Sequence, residues 1–264
     1  MVKLSWVTKI LENFAPICLA EDWDNVGLLV GDSQMQVSRV LVALDATPAV
    51  IDEAVAGGYN LIITHHAPIY QPLKNITTTT ATGRKIIKLL KNDIALYTAH
   101  TNLDAANGGV NDRLAKVLGI VNTQPMVQDK NNIKCGIGRV GCLPVETTLA
   151  KLAQDIAETL GLRMVRYCGN GNAKIKKVAL CGGSGMSYVS NAHGNDVYIT
   201  GDIKYGDANT AVEAGLNLID ITHYAGELPV LDVIVDLLRT NAANQKVTLQ
   251  VDKTTQNGQI FCQV

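Results

Sequence analysis

The amino-acid sequence predicts an α/β protein built on mainly parallel or mixed sheets. Short apolar runs, each about the length of one buried strand, recur at residues 40–45, 61–64, 94–98, 177–181, 196–200 and 216–222. Segments with helical periodicity separate several of these runs, as expected when helices connect parallel strands. Polar residues collect directly after several runs, and open α/β sheets bind their ligands at those strand ends.

The N-terminal segment predicts an amphipathic helix. Ser5 is expected to cap this helix, because a serine oxygen can accept a hydrogen bond from the first helical turn. The apolar face is predicted to consist of Val7, Ile10, Leu11 and Phe14. Further helices are predicted at residues 48–56, 83–90 and 110–118, with a polar loop at 77–82.

A turn-rich acidic segment surrounds Trp23 and leads into a short strand. We interpret Trp23 as a packing anchor for this loop. An alternative interpretation places Asp24 or Asn25 at the rim of a functional site. The first interpretation is preferred to a direct catalytic role for Asp24 or Asn25.

Residues 121–132 are polar and show no periodicity, which predicts an irregular lobe boundary. The first lobe would comprise residues 1–125, completed by 227–264, and the second residues 126–226, with no long insert domain. Within and after the second lobe we predict strands at 135–142 and 162–167, helices at 145–160 and 227–239, and a strand pair across Asn257 and Gly258.

The composition excludes several classes of protein. Hydrophobic residues make up 47% of the 264 and charged residues 18%, which argues against disorder. The net charge of −1 comes without a basic stripe, so a dedicated nucleic-acid binder is not expected. Six scattered cysteines without a C-x-x-C pair are typical of a reducing compartment. No secretory or membrane-spanning segment is recognised, and a soluble cytoplasmic protein with no membrane association is expected.

The five histidines carry the clearest functional signal. His65, His66, His100 and His223 stand at or just beyond the ends of predicted buried strands, whereas His193 lies in a polar segment and is expected at the surface. Carboxylates follow two of these histidines four positions later. Asp104 follows His100, and Glu227 follows His223 near the expected first turn of the next helix.

These residues form a mixed nitrogen and oxygen ligand set. The candidate metal ligands are His65, His66, Asp104, His223 and Glu227, with His100 close by. Such a set suits zinc, manganese or iron better than calcium, and without cysteine it does not resemble a structural zinc site. Five ligands exceed the needs of one tetrahedral ion, so two divalent metal ions per subunit are expected.

Several motifs occur together and in order along the chain. They are WDNVGL at residues 23–28, HHAP at 65–68, YTAHTNLD at 97–104, TGD at 200–202 and HYAGE at 223–227. In this combination the chain resembles the Nif-three-like family of dinuclear-metal proteins, whose members often carry the name GTP cyclohydrolase I type 2. The resemblance covers essentially the whole chain.

The resemblance implies two interlocked α/β lobes, a two-metal site in the cleft between them, and a homohexameric toroid built as a trimer of dimers. It implies the same five metal ligands, and it places His100 beside the metals, either holding a ligand in position or transferring protons in catalysis. The implied function is metal-dependent hydrolysis, with a nucleotide as a possible substrate and ring opening of GTP by a metal-bound hydroxide as one version. A phosphoesterase and a non-enzymatic metal-binding or regulatory protein remain alternatives.

One feature of the sequence departs from the family pattern, and a glycine-rich run could form a second kind of site. Many relatives carry a histidine near Gly206, and its absence here puts in doubt a supporting role for the loop after Asp202. The glycine-rich run at residues 182–185 could form an anion-binding nest, but it lacks a Walker lysine, so a tight turn is preferred. Ser184 lacks the G-x-S-x-G pattern of a nucleophile elbow.

Overall fold

The computed structural model describes residues 1–256, 260 and 261. The predicted strand pair across Asn257 and Gly258 lies outside these described residues, as does Cys262. The chain forms two compact units. One comprises Met1–Leu103 together with the segment from Leu231 onward, and the other comprises Asp104–Val230.

The elements are α/β throughout, which confirms the predicted fold class. The described strands are β1 (Val2–Lys3), β2 (Gly27–Val30), β3 (Gln36–Val37), β4 (Arg39–Ala43), β5 (Leu61–Thr64), β6 (Ala95–Thr98), β7 (Val121–Gln128), β8 (Gly136–Thr148), β9 (Arg166–Cys168), β10 (Lys174–Leu180), β11 (Val197–Thr200), β12 (Asn217–Asp220) and β13 (Gln250–Lys253). The described α-helices are α1 (Leu4–Phe14), α2 (Pro48–Gly57), α3 (Ala81–Lys91), α4 (Thr101–Ala105), α5 (Val110–Val117), α6 (Leu149–Thr159), α7 (Tyr205–Glu213), α8 (His223–Glu227) and α9 (Val230–Asn244).

The first unit contains a five-stranded sheet of order β13-β4-β5-β6-β2. Its first four strands are parallel, and β2 pairs antiparallel with β6. All residues of β5 and β6 are buried, which explains why both read as continuous apolar runs. Because β4, β5 and β6 are parallel neighbours, their C-terminal ends meet at one edge of the sheet.

Helix α1 begins without the predicted serine cap. Lys3 occupies the N-cap position and Ser5 lies inside the helix. The backbone N–H groups of Leu4 and Ser5 donate to the carbonyl oxygens of Met35 and Ser33, both at 2.9 Å. Because long-range backbone contacts satisfy these donors, the helix needs no side-chain cap at Ser5. Val7, Ile10 and Leu11 are buried as predicted, and Phe14 is half-buried.

The second unit contains a six-stranded sheet of order β7-β8-β10-β11-β12-β9. The predicted parallel core of β10, β11 and β12 is confirmed. The interpretation of residues 121–132 as irregular is wrong, because β7 pairs antiparallel with β8 there. This edge strand is mostly exposed, so it carries no apolar run that the sequence could have shown. The assignment of lobes at 1–125 and 126–226 stays a prediction.

Several boundaries differ from the predictions. Strand β8 continues to Thr148, whose hydroxyl accepts a hydrogen bond from Lys151 N at 3.3 Å, so α6 starts at Leu149 rather than at 145. The strand predicted at 162–167 is reduced to β9. The helix predicted at 227–239 is two helices, with Glu227 ending α8 and Val230 starting α9. No described helix is both long enough and apolar enough to cross a membrane.

Candidate metal centre

Three histidines cluster at the C-terminal edge of the first unit's sheet. His65 and His66 directly follow β5, and His100 follows the neighbouring strand β6. One ligand nitrogen from each ring lies within 4.8 Å of the others. The ring centroids are 5.0 Å apart for His65 and His66, and 5.1 Å apart for His65 and His100. The predicted proton carrier His100 therefore lies with two of the predicted metal ligands.

Each of these imidazoles is held through its Nδ1 atom. His65 Nδ1 donates to the carbonyl oxygen of Ala99 at 2.9 Å, and His66 Nδ1 lies 3.1 Å from Oδ1 of Asp45. His100 Nδ1 lies 3.0 Å from Oδ1 of Asp24. A hydrogen bond donated from Nδ1 selects the neutral tautomer whose lone pair is on Nε2. This arrangement is the usual support of a metal-binding histidine.

The carboxylate behind His100 belongs to Asp24, whose side chain is fully buried. Thr101 also donates to its Oδ2 atom, from the backbone at 3.0 Å and from the hydroxyl at 2.5 Å. Burial opposes ionisation of Asp24, but the hydrogen bonds from His100 and Thr101 outweigh it and hold the pKa well below its ordinary value. The segment is the predicted loop leading into a short strand, and within it Asp24 is the ionised carboxylate that contacts His100.

Trp23 is not the packing anchor that the sequence suggested. Its side chain is 53% exposed. Its ring contacts the Tyr70 ring at a centroid distance of 5.9 Å and the His100 ring at 6.0 Å. Trp23 is therefore not buried in a core but makes aromatic contacts at the edge of the histidine cluster.

The second unit carries a histidine and a carboxylate on one short helix. His223 begins α8 and Glu227 ends it, so the two side chains lie one helical turn apart. Nε2 of His223 is 3.1 Å from Oε1 of Glu227, and the Glu227 side chain is buried. Nδ1 of His223 is 2.8 Å from Oδ2 of Asp202. Asp202 thus supports His223 from a position just before the loop in question, and the doubt about that loop itself stays a prediction.

The backbone around His223 is tightly constrained. Thr222 has φ 65° and ψ 153°, a region that β-branched residues rarely adopt. Gly183 has φ +66°, and a Cβ built there would lie 2.2 Å from Oε1 of Glu227. A Cβ on Gly201 would lie 2.5 Å from the backbone N of His223. The glycine-rich run after β10 therefore serves close packing against α8, in agreement with the preferred tight turn.

Asp104 lies in α4 and is linked to the same glycine turn by a buried asparagine. Nδ2 of Asn111 donates to the backbone oxygen of Asp104 at 3.0 Å, and Oδ1 of Asn111 accepts from Gly182 N at 2.9 Å. Burial, with added repulsion from the charges of Asp104 and Glu227, raises the pKa of Cys181. Without a bound ion, these effects favour the neutral thiol at Cys181.

The donor set fits divalent transition-metal ions. The candidate nitrogen donors are imidazoles with supported Nδ1 atoms, and the candidate oxygen donors are carboxylates of half-buried Asp104 and buried Glu227. Sequence reasoning missed Asp45, offered Asp24 only as an alternative at the rim of a site, and did not pair Asp202 with His223. Asp45 and Asp202 each stand just beyond a strand end, so the rule that selected the histidines could have selected them. His193 is exposed, as predicted.

The fold and the site define an α/β protein with imidazole and carboxylate clusters suited to metal binding. The chain belongs to the Duf34/NIF3 (NGG1p interacting factor 3) family, whose model matches residues 2–258. It is 44% identical over 234 residues to a GTP cyclohydrolase 1 type 2 homolog of Clostridium perfringens, covering 87% of this chain and 88% of the relative.

Solved structures support the same assignment. The Staphylococcus aureus protein SA1388 matches with a TM-score of 0.93 and 34% identity over 99% of both chains. A Bacillus cereus protein related to NIF3 matches with a TM-score of 0.94 and 28% identity over 100% of both chains. The family suggested by the sequence motifs is therefore confirmed.

Proposed function

We propose that the protein is a metal-dependent hydrolase whose ligands hold two divalent ions, with zinc, iron and manganese as candidates. The proposed ligands are His65, His66, Asp104, His223 and Glu227. The observation that carries the proposal is the Nδ1 support of every one of these histidines by a carboxylate or a carbonyl. When bound, divalent ions would supply a water molecule of lowered pKa and an electrophile for a substrate oxygen or nitrogen.

His100 is proposed as the proton carrier of the reaction. Its contact with the buried carboxylate of Asp24 leaves Nε2 as the atom that accepts a proton. The Asp24 carboxylate would hold the imidazole in one orientation and tautomer, as an oriented carboxylate does in other histidine bases. His100 retains limited solvent exposure, which permits exchange of the proton with water.

A nucleotide is the proposed substrate class. Support comes from the relative in Clostridium perfringens, which carries the name GTP cyclohydrolase 1 type 2 homolog. Ring opening of GTP and hydrolysis of a phosphoester use the same arrangement of ligands and proton carrier. A panel of nucleotides that includes GTP separates these two reactions by their products.

The test pairs metal content with turnover in matched variants. Wild type is expected to hold about two ions per chain, and His66→Ala or Glu227→Ala to lower that number. If both sets of ligands belong to one dinuclear centre, each of these single substitutions should also abolish turnover. His100→Ala should keep the metal and lose turnover by roughly 10²–10⁴-fold. His193→Ala, which removes an exposed histidine, is the control and should change neither quantity.

Unchanged metal content in His66→Ala and Glu227→Ala would remove these residues from the ligand set. A wild-type protein that holds two ions but turns over nothing on a broad panel would favour the non-enzymatic, metal-binding alternative. Full turnover in His100→Ala would refute its role as the proton carrier. A hexameric ring, the assembly implied by the motif resemblance, is part of the proposal, and light scattering that reports a stable monomer would contradict it.

A further inference from the structure

An exposed aromatic pair borders the histidine cluster of the first unit. Trp23 is 53% exposed and Tyr70 is 51% exposed, and their centroids are 5.9 Å apart with an interplanar angle of 50°. The His100 ring meets Trp23 at an interplanar angle of 72°. Neither neighbour lies parallel to the indole ring, so neither forms a full face-to-face stack with it. About half of the Trp23 surface thus faces solvent beside the proposed proton carrier.

The pair is held in place by the backbone and by buried polar groups. Asn25 Nδ2 donates to the carbonyl oxygen of Ile69 at 2.6 Å, which ties the loop of Trp23 to the loop of Tyr70. On the other side of Trp23, the buried Asp24 carboxylate is fixed by His100 and Thr101. A surface whose neighbours are anchored on both sides loses little conformational entropy when a ligand binds.

We propose that Trp23 and Tyr70 form a stacking platform that recognises a planar heteroaromatic ring, such as a purine base, and presents it to His100. The proposal rests on the proposed function and names the part of the substrate that this site selects. Exposed aromatic rings stack on bases through their π-faces, and this contact does not need a cationic surface. The acidic neighbourhood, with Glu21, Asp22 and Asp24 beside Trp23, favours a neutral base over a phosphate group at this position.

The test compares two ligands that differ in the base alone. Guanosine monophosphate and ribose 5-phosphate are titrated into the metal-loaded protein by calorimetry, so that phosphate contacts contribute to both. Guanosine monophosphate is expected to bind roughly 5- to 150-fold more tightly, the range that stacking on one aromatic ring provides. Trp23→Leu should remove most of this preference, Tyr70→Leu should reduce it, and Trp23→Phe, which keeps an aromatic face, should retain much of it.

The second tryptophan of the chain provides a matched control. Trp6, whose Nε1 donates to Gln245 at 2.9 Å, belongs to α1 and has no place in the platform. Trp6→Phe leaves Trp23 as the single tryptophan. In this variant guanosine monophosphate should quench the fluorescence and ribose 5-phosphate should not, with the preference between the ligands unchanged.

The proposal would be overturned if wild type bound guanosine monophosphate and ribose 5-phosphate with equal affinity, or if the preference for guanosine monophosphate persisted in Trp23→Leu. A change of oligomeric state in Trp23→Leu, measured by light scattering, would also overturn it. The last would identify the pair as a contact between copies of this chain. Metal content measured on the same samples separates this proposal from the proposed function. Protein that holds ions but shows no preference for the base refutes the platform alone, whereas a Trp23-dependent preference in protein that holds no ion refutes the metal site alone.

Discussion

Replacing Asp112 by Asn tests whether one buried ion pair holds the second unit together. Arg139 is a fully buried side chain, with 1% exposure. Its Nε and Nη2 atoms donate to the two carboxylate oxygens of Asp112 at 2.6 and 2.7 Å. Its Nη1 atom donates to the carbonyl oxygens of Gly136 and Gly138 at 2.8 and 2.7 Å, and Nη2 also donates to Ala106 at 3.3 Å. The substitution keeps the shape of the side chain, removes the charge that balances the guanidinium, and replaces one of the two accepting oxygens with an NH2 group.

The size of the effect follows from burial. Removing one member of a buried ion pair costs about 3–5 kcal/mol, because the other charge stays buried without compensation. The carboxylate of Asp112 is 23% exposed, and an amide oxygen still accepts one hydrogen bond, so the lower end applies. We expect a loss of about 3 kcal/mol in the free energy of unfolding. For a chain of this size that corresponds to a fall in Tm of roughly 6–12 °C.

The assay is thermal and urea unfolding of wild type and two variants. Asp155→Asn is the matched control, since it removes the acid of an exposed helical pair with Lys151, in which the two side chains are 45% and 57% exposed. Such surface pairs contribute about 0.3–0.5 kcal/mol, so the control should stay close to wild type. Equal stability losses in Asp112→Asn and Asp155→Asn would refute the reasoning from burial.

Two further predictions concern the metal ligands and pH. Gly183→Ala should lower metal content, because its Cβ would lie 2.2 Å from Oε1 of Glu227. Gly194→Ala is the control, since Gly194 also has a positive φ, +91°, but has open space around it, and it should keep the metal content of wild type. Equal metal contents in the two variants would contradict this prediction. Burial raises the pKa of Glu53, but hydrogen bonds, the largest of them from the Thr254 hydroxyl, outweigh it and lower the pKa overall. The resulting stabilisation is complete above the unfolded pKa of about 4.3 and is lost as pH falls through the lower folded pKa. Urea unfolding across roughly pH 3 to 6 should therefore show a smaller acid loss in Glu53→Gln than in wild type, and parallel curves would count against the assignment.

The edge strand β7 and the start of α1 show where local sequence reasoning fails. Among the described strands β7 pairs with β8 alone and exposes most of its side chains, so its polar sequence resembles a linker. The first N–H groups of helix α1 donate to the carbonyl oxygens of Ser33 and Met35, about thirty residues along the chain, so a cap expected at Ser5 is unnecessary. Both features depend on partners that lie far away in sequence.

The sequence by itself determined the parallel strands and the histidines at their ends. Strands buried on both faces must be continuous apolar runs, and polar side chains after such runs collect at one sheet edge. Only the tertiary structure decided which groups hold those histidines. The carboxylates of Asp24 and Asp202 come from residues 76 and 21 positions away from His100 and His223. The tertiary structure also decided that Trp23 faces solvent, because an aromatic side chain has no periodic pattern in a loop to reveal whether it is buried.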